Sequence, residues 1–133
     1  MNRLIYWIAV VLLLVNGIGA LLGGFQLITD PSGATLQMPL SFLQHSPFDN
    51  YLIPGIILFT ANGLLSMTIV VLIFMKLPQA GKWVAAQGII LSGWIIVQML
   101  MLQIFYPPLH LTFLLIGLML LLLGILMSKA IAK

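Results

Sequence analysis

The chain has no cysteine, only two acidic residues and two histidines, and charged residues make up 5% of its 133 positions. The first absence excludes disulfides, thiolate nucleophiles, Cys-ligated zinc and iron–sulfur clusters. The scarcity of acid is as restrictive, because Asp30 and Asp49 share one polar connection and no apolar stretch contains Asp, Glu, Lys or Arg. Proton-coupled transport and intramembrane acid–base chemistry depend on such groups. The net charge of +3 comes from Arg3, Lys76, Lys82, Lys129 and Lys133, scattered singly rather than clustered. No nucleic-acid partner is therefore expected.

What the sequence does contain is apolar: 62% of residues are hydrophobic and the mean hydropathy is +1.23. That composition belongs to a membrane protein. Four long apolar stretches run over about 4–27, 52–75, 83–105 and 110–128, each long enough to cross a bilayer, and together they form one domain. The seven prolines lie between them or in the opening turn of the second. The expected fold is an all-α membrane protein, an antiparallel bundle of four transmembrane helices with a structured outer loop between helices 1 and 2. Every cation falls on one side of an alternating path and both acids on the other. The positive-inside bias then places both termini in the cytoplasm of a multi-pass protein of the cell membrane. The first stretch is longer than the roughly 7–15 residues of a signal-peptide core, so it is read as a retained span. Tyr6, Trp7 and Trp83 at inner ends, with Tyr51 and Tyr106 at outer ends, make the expected aromatic belts.

The connection from Ile28 to Tyr51 is the one long loop. Asp30-Pro31-Ser32-Gly33 has the residue choices of a type I turn, and Pro39 can open a short helical turn through Leu43 that Ser46-Pro47 stops. Leu36, Met38, Phe42, Leu43 and Phe48 make the loop apolar enough to lie across the outer mouth as a lid; the alternative is a segment resting on headgroups.

These loop motifs, Asp30-Pro31-Ser32-Gly33, Met38-Pro39-Leu40 and Ser46-Pro47-Phe48-Asp49-Asn50-Tyr51-Leu52-Ile53-Pro54-Gly55, occur with Gly93-Trp94, Gln98 and Leu109-His110. Together they resemble a family of uncharacterised bacterial four-span membrane proteins, and the likeness covers nearly the whole chain. By size and plan the chain is also similar to the DoxX-like group, some of whose members accompany quinone-linked oxidoreductases. The likeness implies a four-span fold in a bacterial inner membrane and no particular activity.

At helical spacing the polar and small residues align. Asn16, Gly19, Gly23 and Gln26 form one stripe, Gly55, Phe59, Asn62 and Ser66 a second, Gln87, Leu91, Trp94 and Gln98 a third, and His110, Gly117 and Gly124 a fourth. Lipid cannot satisfy amides, so these faces should turn inward, with Gly19 and Gly23 allowing a close backbone approach. Leu120–Leu123 should include lipid-facing surface. Asn16, Asn62, Ser66 and Gln87 read as helix-packing polar groups, and the Trp94 indole needs an acceptor that Asn16, Asn62 or Gln98 can supply. Gln26, Gln98, Gln103 and His110 lie in the outer half, where, with mid-span Trp94 as a floor, they can line an outward-opening pocket for an apolar molecule with a neutral polar head, such as a quinone or lipid. The alternative for the same residues is interhelical glue.

No catalytic set, resident cofactor or metal is expected, since His45 has no short ligand spacing to Asp30 or Asp49. The leading reading is a non-enzymatic bundle that binds an apolar or neutral ligand, a membrane-protein partner as an accessory subunit, or its own copies. The runner-up is a small lipid- or quinone-active enzyme using His110, or a facilitator of neutral solutes.

Overall fold

A computed structural model of the chain describes residues 3–102 and 107–132. It is an all-α bundle of four helices, each long and apolar enough to cross a membrane. The first is Arg3–Thr29, the second Leu52–Phe74, the third Ala80–Leu102 and the fourth Pro107–Ala132. At a rise of about 1.5 Å per residue, 23 residues already exceed the ~30 Å hydrocarbon layer. The third and fourth helices begin three residues before their apolar stretches. The fourth starts at Pro107 because proline fits a first helical turn, where its missing N–H has no partner to lose. The third starts at Ala80, whose N–H donates to Leu77 O at 3.1 Å.

First and second helices, and third and fourth, form the two closest pairs; first against fourth and second against third close the ring. The third–fourth seam shows why these pairs are so close. A Cβ on Gly88 would strike Leu121 N and Gly117 O, and one on Gly124 would strike the Ala85 backbone. Gly81, Ala85, Gly88 and Ser92 recur at i, i+4, i+7 and i+11, facing Gly117, Gly124 and Ser128 in antiparallel register. Without a hydrophobic drive between helices in lipid, such backbone contact supplies the packing.

The first helix turns a different glycine face inward from the one expected. Gly19 is exposed and Gly23 half-buried, with only side-chain atoms near them, whereas Asn16, Gly17, Ala20, Gly24 and Leu27 are buried. A Cβ on Gly24 would sit 2.8 Å from Phe59 N and 2.9 Å from Gly55 O. The close approach therefore uses Gly24 and Gly55, a face about one residue away from the expected stripe. Within Leu120–Leu123, only Leu122 faces outward; Leu120 and Leu123 are core, packed with Leu13, Ile69, Val84, Leu91 and Met127.

The loop is built as a local structure. Gly33 N–H donates to Asp30 O at 3.1 Å, closing the expected turn, and Leu40–Leu43 forms a 3₁₀ turn after Pro39. Tyr51 OH donates to Pro39 O at 2.8 Å, and Tyr51 packs with Leu27 and Leu43 against Leu36, Met38, Phe48 and Leu58. The segment Ala34–Leu36 touches the first helix and Leu40–Leu43 the third, so the loop crosses this end of the bundle. We call it the loop end, and the opposite one the termini end.

The Asp30 carboxylate accepts from Ser32 Oγ at 2.6 Å, Thr35 Oγ1 at 2.7 Å and Thr35 N–H at 3.0 Å. Those bonds, that of Ser32 first, lower its pKa from 3.8 to about 2. A folded pKa below the unfolded one means that ionised Asp30 favours the ordered loop. The contribution is fully present above about pH 4 and is lost as the pH falls through about 2. Amide exchange at Thr35 should accelerate across that window in the native chain and be insensitive to pH, beyond intrinsic exchange, in Asp30→Asn. An unchanged protection profile in Asp30→Asn would contradict the assignment.

Candidate functional site

The middle of the bundle holds a buried polar chain across three helices. Asn16 Nδ2 donates to Ser66 Oγ at 3.0 Å and to Asn62 O at 3.4 Å. Gln87 Nε2 donates to Asn62 Oδ1 at 3.2 Å and to Ala61 O at 3.3 Å. All four side chains are buried, as packing amides in lipid must be. The second helix accommodates them by widening: Leu58–Leu64 is a π turn, in which Leu65 N–H bonds back to Thr60 O. Its Ala61 and Asn62 carbonyls accept from neighbouring helices, a use consistent with the association of π turns with special sites.

The amide orientations follow from these acceptors. Ala61 O can only accept, so it must face the Gln87 nitrogen, and Asn62 must then present its oxygen to that same nitrogen. The consequence is a buried donor, Asn62 Nδ2, and a buried acceptor, Gln87 Oε1, with no partner among the described residues. Ser92 Oγ and Trp94 Nε1 are likewise unpartnered. For Trp94 this differs from expectation. Asn16 and Asn62 are committed to Ser66 and Gln87, and Trp94 lies seven residues, about 10 Å of helix, beyond Gln87.

Of the residues expected to line an outer pocket, His110 is buried and Gln26 and Gln98 are half-buried. Among the described residues no side-chain hydrogen bond joins Gln26, Gln98 and Trp94 to one another. Gln103 lies outside the described residues, as does Tyr106. His45 is exposed at the loop end beside Gln44, 3.2 Å away. Among the described residues no three of His, Cys, Asp or Glu come together in a metal-binding group.

A cavity of about 430 Å³ lies at the termini end. Arg3, Tyr6, Trp7 and Val10 form one wall at i, i+3, i+4 and i+7 on the first helix; Ile73 and Phe74 form the other. Lys76, Leu77 and Ala80 close it at the connection to the third helix. The Trp7 and Phe74 rings meet edge to face, with centroids 6.1 Å apart. They remain 57% and 58% exposed, so these apolar walls are accessible from the side of the bundle.

Lys76 is held there by an unusual backbone. The second helix ends with Lys76 N–H donating to Ile73 O at 3.0 Å and Leu77 N–H to Leu72 O at 3.2 Å, which is a Schellman closure. The closing residue has φ 57°, the left-handed region in which glycine is favoured. A lysine there is costlier than a glycine would be.

In the sequence Arg3 and Lys76 read as markers of orientation, and Tyr6 and Trp7 as part of an aromatic belt. Their shared signal was available: three of them fall on one helical face, and Lys76 precedes Pro78 by two residues, where a helix must end. What was missing was the tertiary fact that this face meets this connection. No family model, curated protein or solved structure matches the chain.

Proposed function

We propose that this chain is a non-enzymatic membrane protein that holds a largely apolar amphiphile in the groove between its first and second helices. The observation that carries the reading is the cavity at the termini end, with apolar and aromatic walls and two cations, Arg3 and Lys76. Its volume of about 430 Å³ falls among those of small-molecule sites. Binding is favoured over turnover because the two acids lie in the loop and no span carries a carboxylate. Protein purified in mild detergent should retain a stoichiometric amphiphile in native mass spectrometry. Replacing Val10 and Ile73 together by Trp to fill the groove should abolish retention. Retention unaffected by that filling would move the site elsewhere.

The orientation belongs to the same proposal. Arg3, Lys76, Lys82 and Lys129 gather at the termini end and Asp30 and Asp49 at the loop end, which supports cytoplasmic termini in a cell membrane. Ser32→Cys should accordingly react with an impermeant thiol reagent on intact cells, and reaction only after lysis would reverse the assignment.

A further inference from the structure

We propose that the occupant of this groove is a phospholipid with a net anionic headgroup, its phosphate held between the Arg3 guanidinium and the Lys76 ammonium. The inference rests on the amphiphile reading above and adds the ligand class and its two recognition residues. One acyl chain lies against Trp7, Val10, Ile73 and Phe74, and the headgroup sits where the second helix leaves the hydrocarbon.

Charge complementarity is the first support. Two cations share the cavity, while the side-chain carboxylates, Asp30 and Asp49, lie at the opposite end of the bundle, so neither pairs with them. Both cations are exposed at the mouth of the groove and free to close on an anion, and guanidinium and ammonium groups together are a recurrent phosphate-binding pair. Depth is the second. Lys76 follows the last residue of its span, Phe74, by two positions, and Arg3 opens the first helix, so both cations stand at headgroup level with apolar walls extending inward from them.

The backbone at Lys76 is the third support and is independent of both. A left-handed residue closing a helix is ordinarily glycine, and this chain uses glycine freely, at 12 positions, yet carries lysine here. Backbone strain retained at a ligand-lining residue points to a role for its side chain. The left-handed turn also fixes which way the stem leaves the helix end, beside the cavity it lines. A soluble phosphate would use the same two cations but has no need of the apolar walls, and these favour the lipid.

The test uses the full chain in mild detergent, titrated with dioleoylphosphatidylglycerol, dioleoylphosphatidylcholine or inorganic phosphate and read by native mass spectrometry. Two cations at headgroup level should give the anionic lipid an advantage of about thirtyfold over the zwitterionic one. The double variant Arg3→Gln, Lys76→Gly should bring the two lipids to within about twofold, while Lys82→Gln, away from the cavity, should leave the preference intact. Lys76→Gly relieves rather than adds backbone strain, and an undiminished melting temperature would show that loss of preference is not loss of fold. Equal retention of both lipids by the native chain would overturn the anionic assignment while leaving the amphiphile reading standing. Retention of neither lipid would overturn the phospholipid assignment, and the absence of any co-purified amphiphile as well would overturn both. Displacement of bound lipid by millimolar inorganic phosphate would overturn the lipid assignment in favour of a free anion.

Discussion

Gly124→Ala and Gly88→Ala should each cost the bundle about 3 kcal/mol, the upper part of the range for overpacking, whereas Gly93→Ala should be neutral or stabilising. The same chemical change gives opposite outcomes because of what each new methyl group meets. At Gly124 it falls on the backbone of Ala85 and within 2.6 Å of Gly81 O; at Gly88 it falls on Leu121 N and Gly117 O. Backbone atoms cannot rotate away as a side-chain tip can, so the third and fourth helices must separate and lose dispersion contact along the seam. Gly93 has nothing within 4 Å, and removing a glycine from a helix interior there should gain about 0.5–1 kcal/mol. Thermal unfolding in detergent, followed by circular dichroism, separates the three variants. Equal tolerance at all three positions would mean that the seam is not packed backbone to backbone.

Gln87→Leu should cost about 1–2 kcal/mol, and adding Asn62→Leu should recover part of that loss. Two effects compete. An interhelical amide bond in a membrane averages only about 0.6 kcal/mol, but a buried polar group stripped of its partner costs about 1–3 kcal/mol. In Gln87→Leu the penalty decides, because Asn62 then buries both amide atoms without the Gln87 bond. In the double variant that penalty is gone, while Asn16 keeps Ser66 Oγ and the Asn62 backbone carbonyl. A double-mutant cycle should therefore show strong non-additivity. Additive losses would mean that Asn62 and Gln87 do not act as a pair.

The legible parts of the fold were those fixed by scarce residues. Seven prolines and five cations in 133 positions bound the spans, and the buried Asn16, Asn62, Ser66 and Gln87 were identifiable because amides in lipid have few alternatives. Finer facing was harder to read, since these helices are apolar nearly all round and nothing penalises an error of one residue. Gly19 and Gly23 looked as suitable for close approach as Gly17 and Gly24 until the second helix was in place. The π turn at Leu58–Leu64 has no residue signature and arises where Asn62 and Gly63 meet two neighbouring helices.

The candidate site was least legible because a shared depth does not by itself show which side chains converge. Gln26, Gln98 and His110 share a depth near the loop, yet the loop brings its own apolar residues, and Leu43 and Tyr51 pack onto Leu27 there. At the other end Arg3 and Lys76, separated by 73 positions, line one cavity only because the first and second helices pair in antiparallel register. Single cations at span ends carry orientation in any membrane protein, so their second use is invisible until the cavity between them is seen.

The most direct measurement is a cross-linking map. The chain, reconstituted with a phospholipid carrying a photoactivatable group in its acyl chain, is irradiated, digested and sequenced by tandem mass spectrometry. Adducts concentrated on Tyr6, Trp7, Val10, Ile73 and Phe74, and competed away by unlabelled phosphatidylglycerol, are the predicted result. Adducts concentrated instead on Leu36–Phe48 and Gln98, or spread over outward-facing residues such as Leu22, Leu100 and Leu122 without competition, would contradict a ligand site at the termini end.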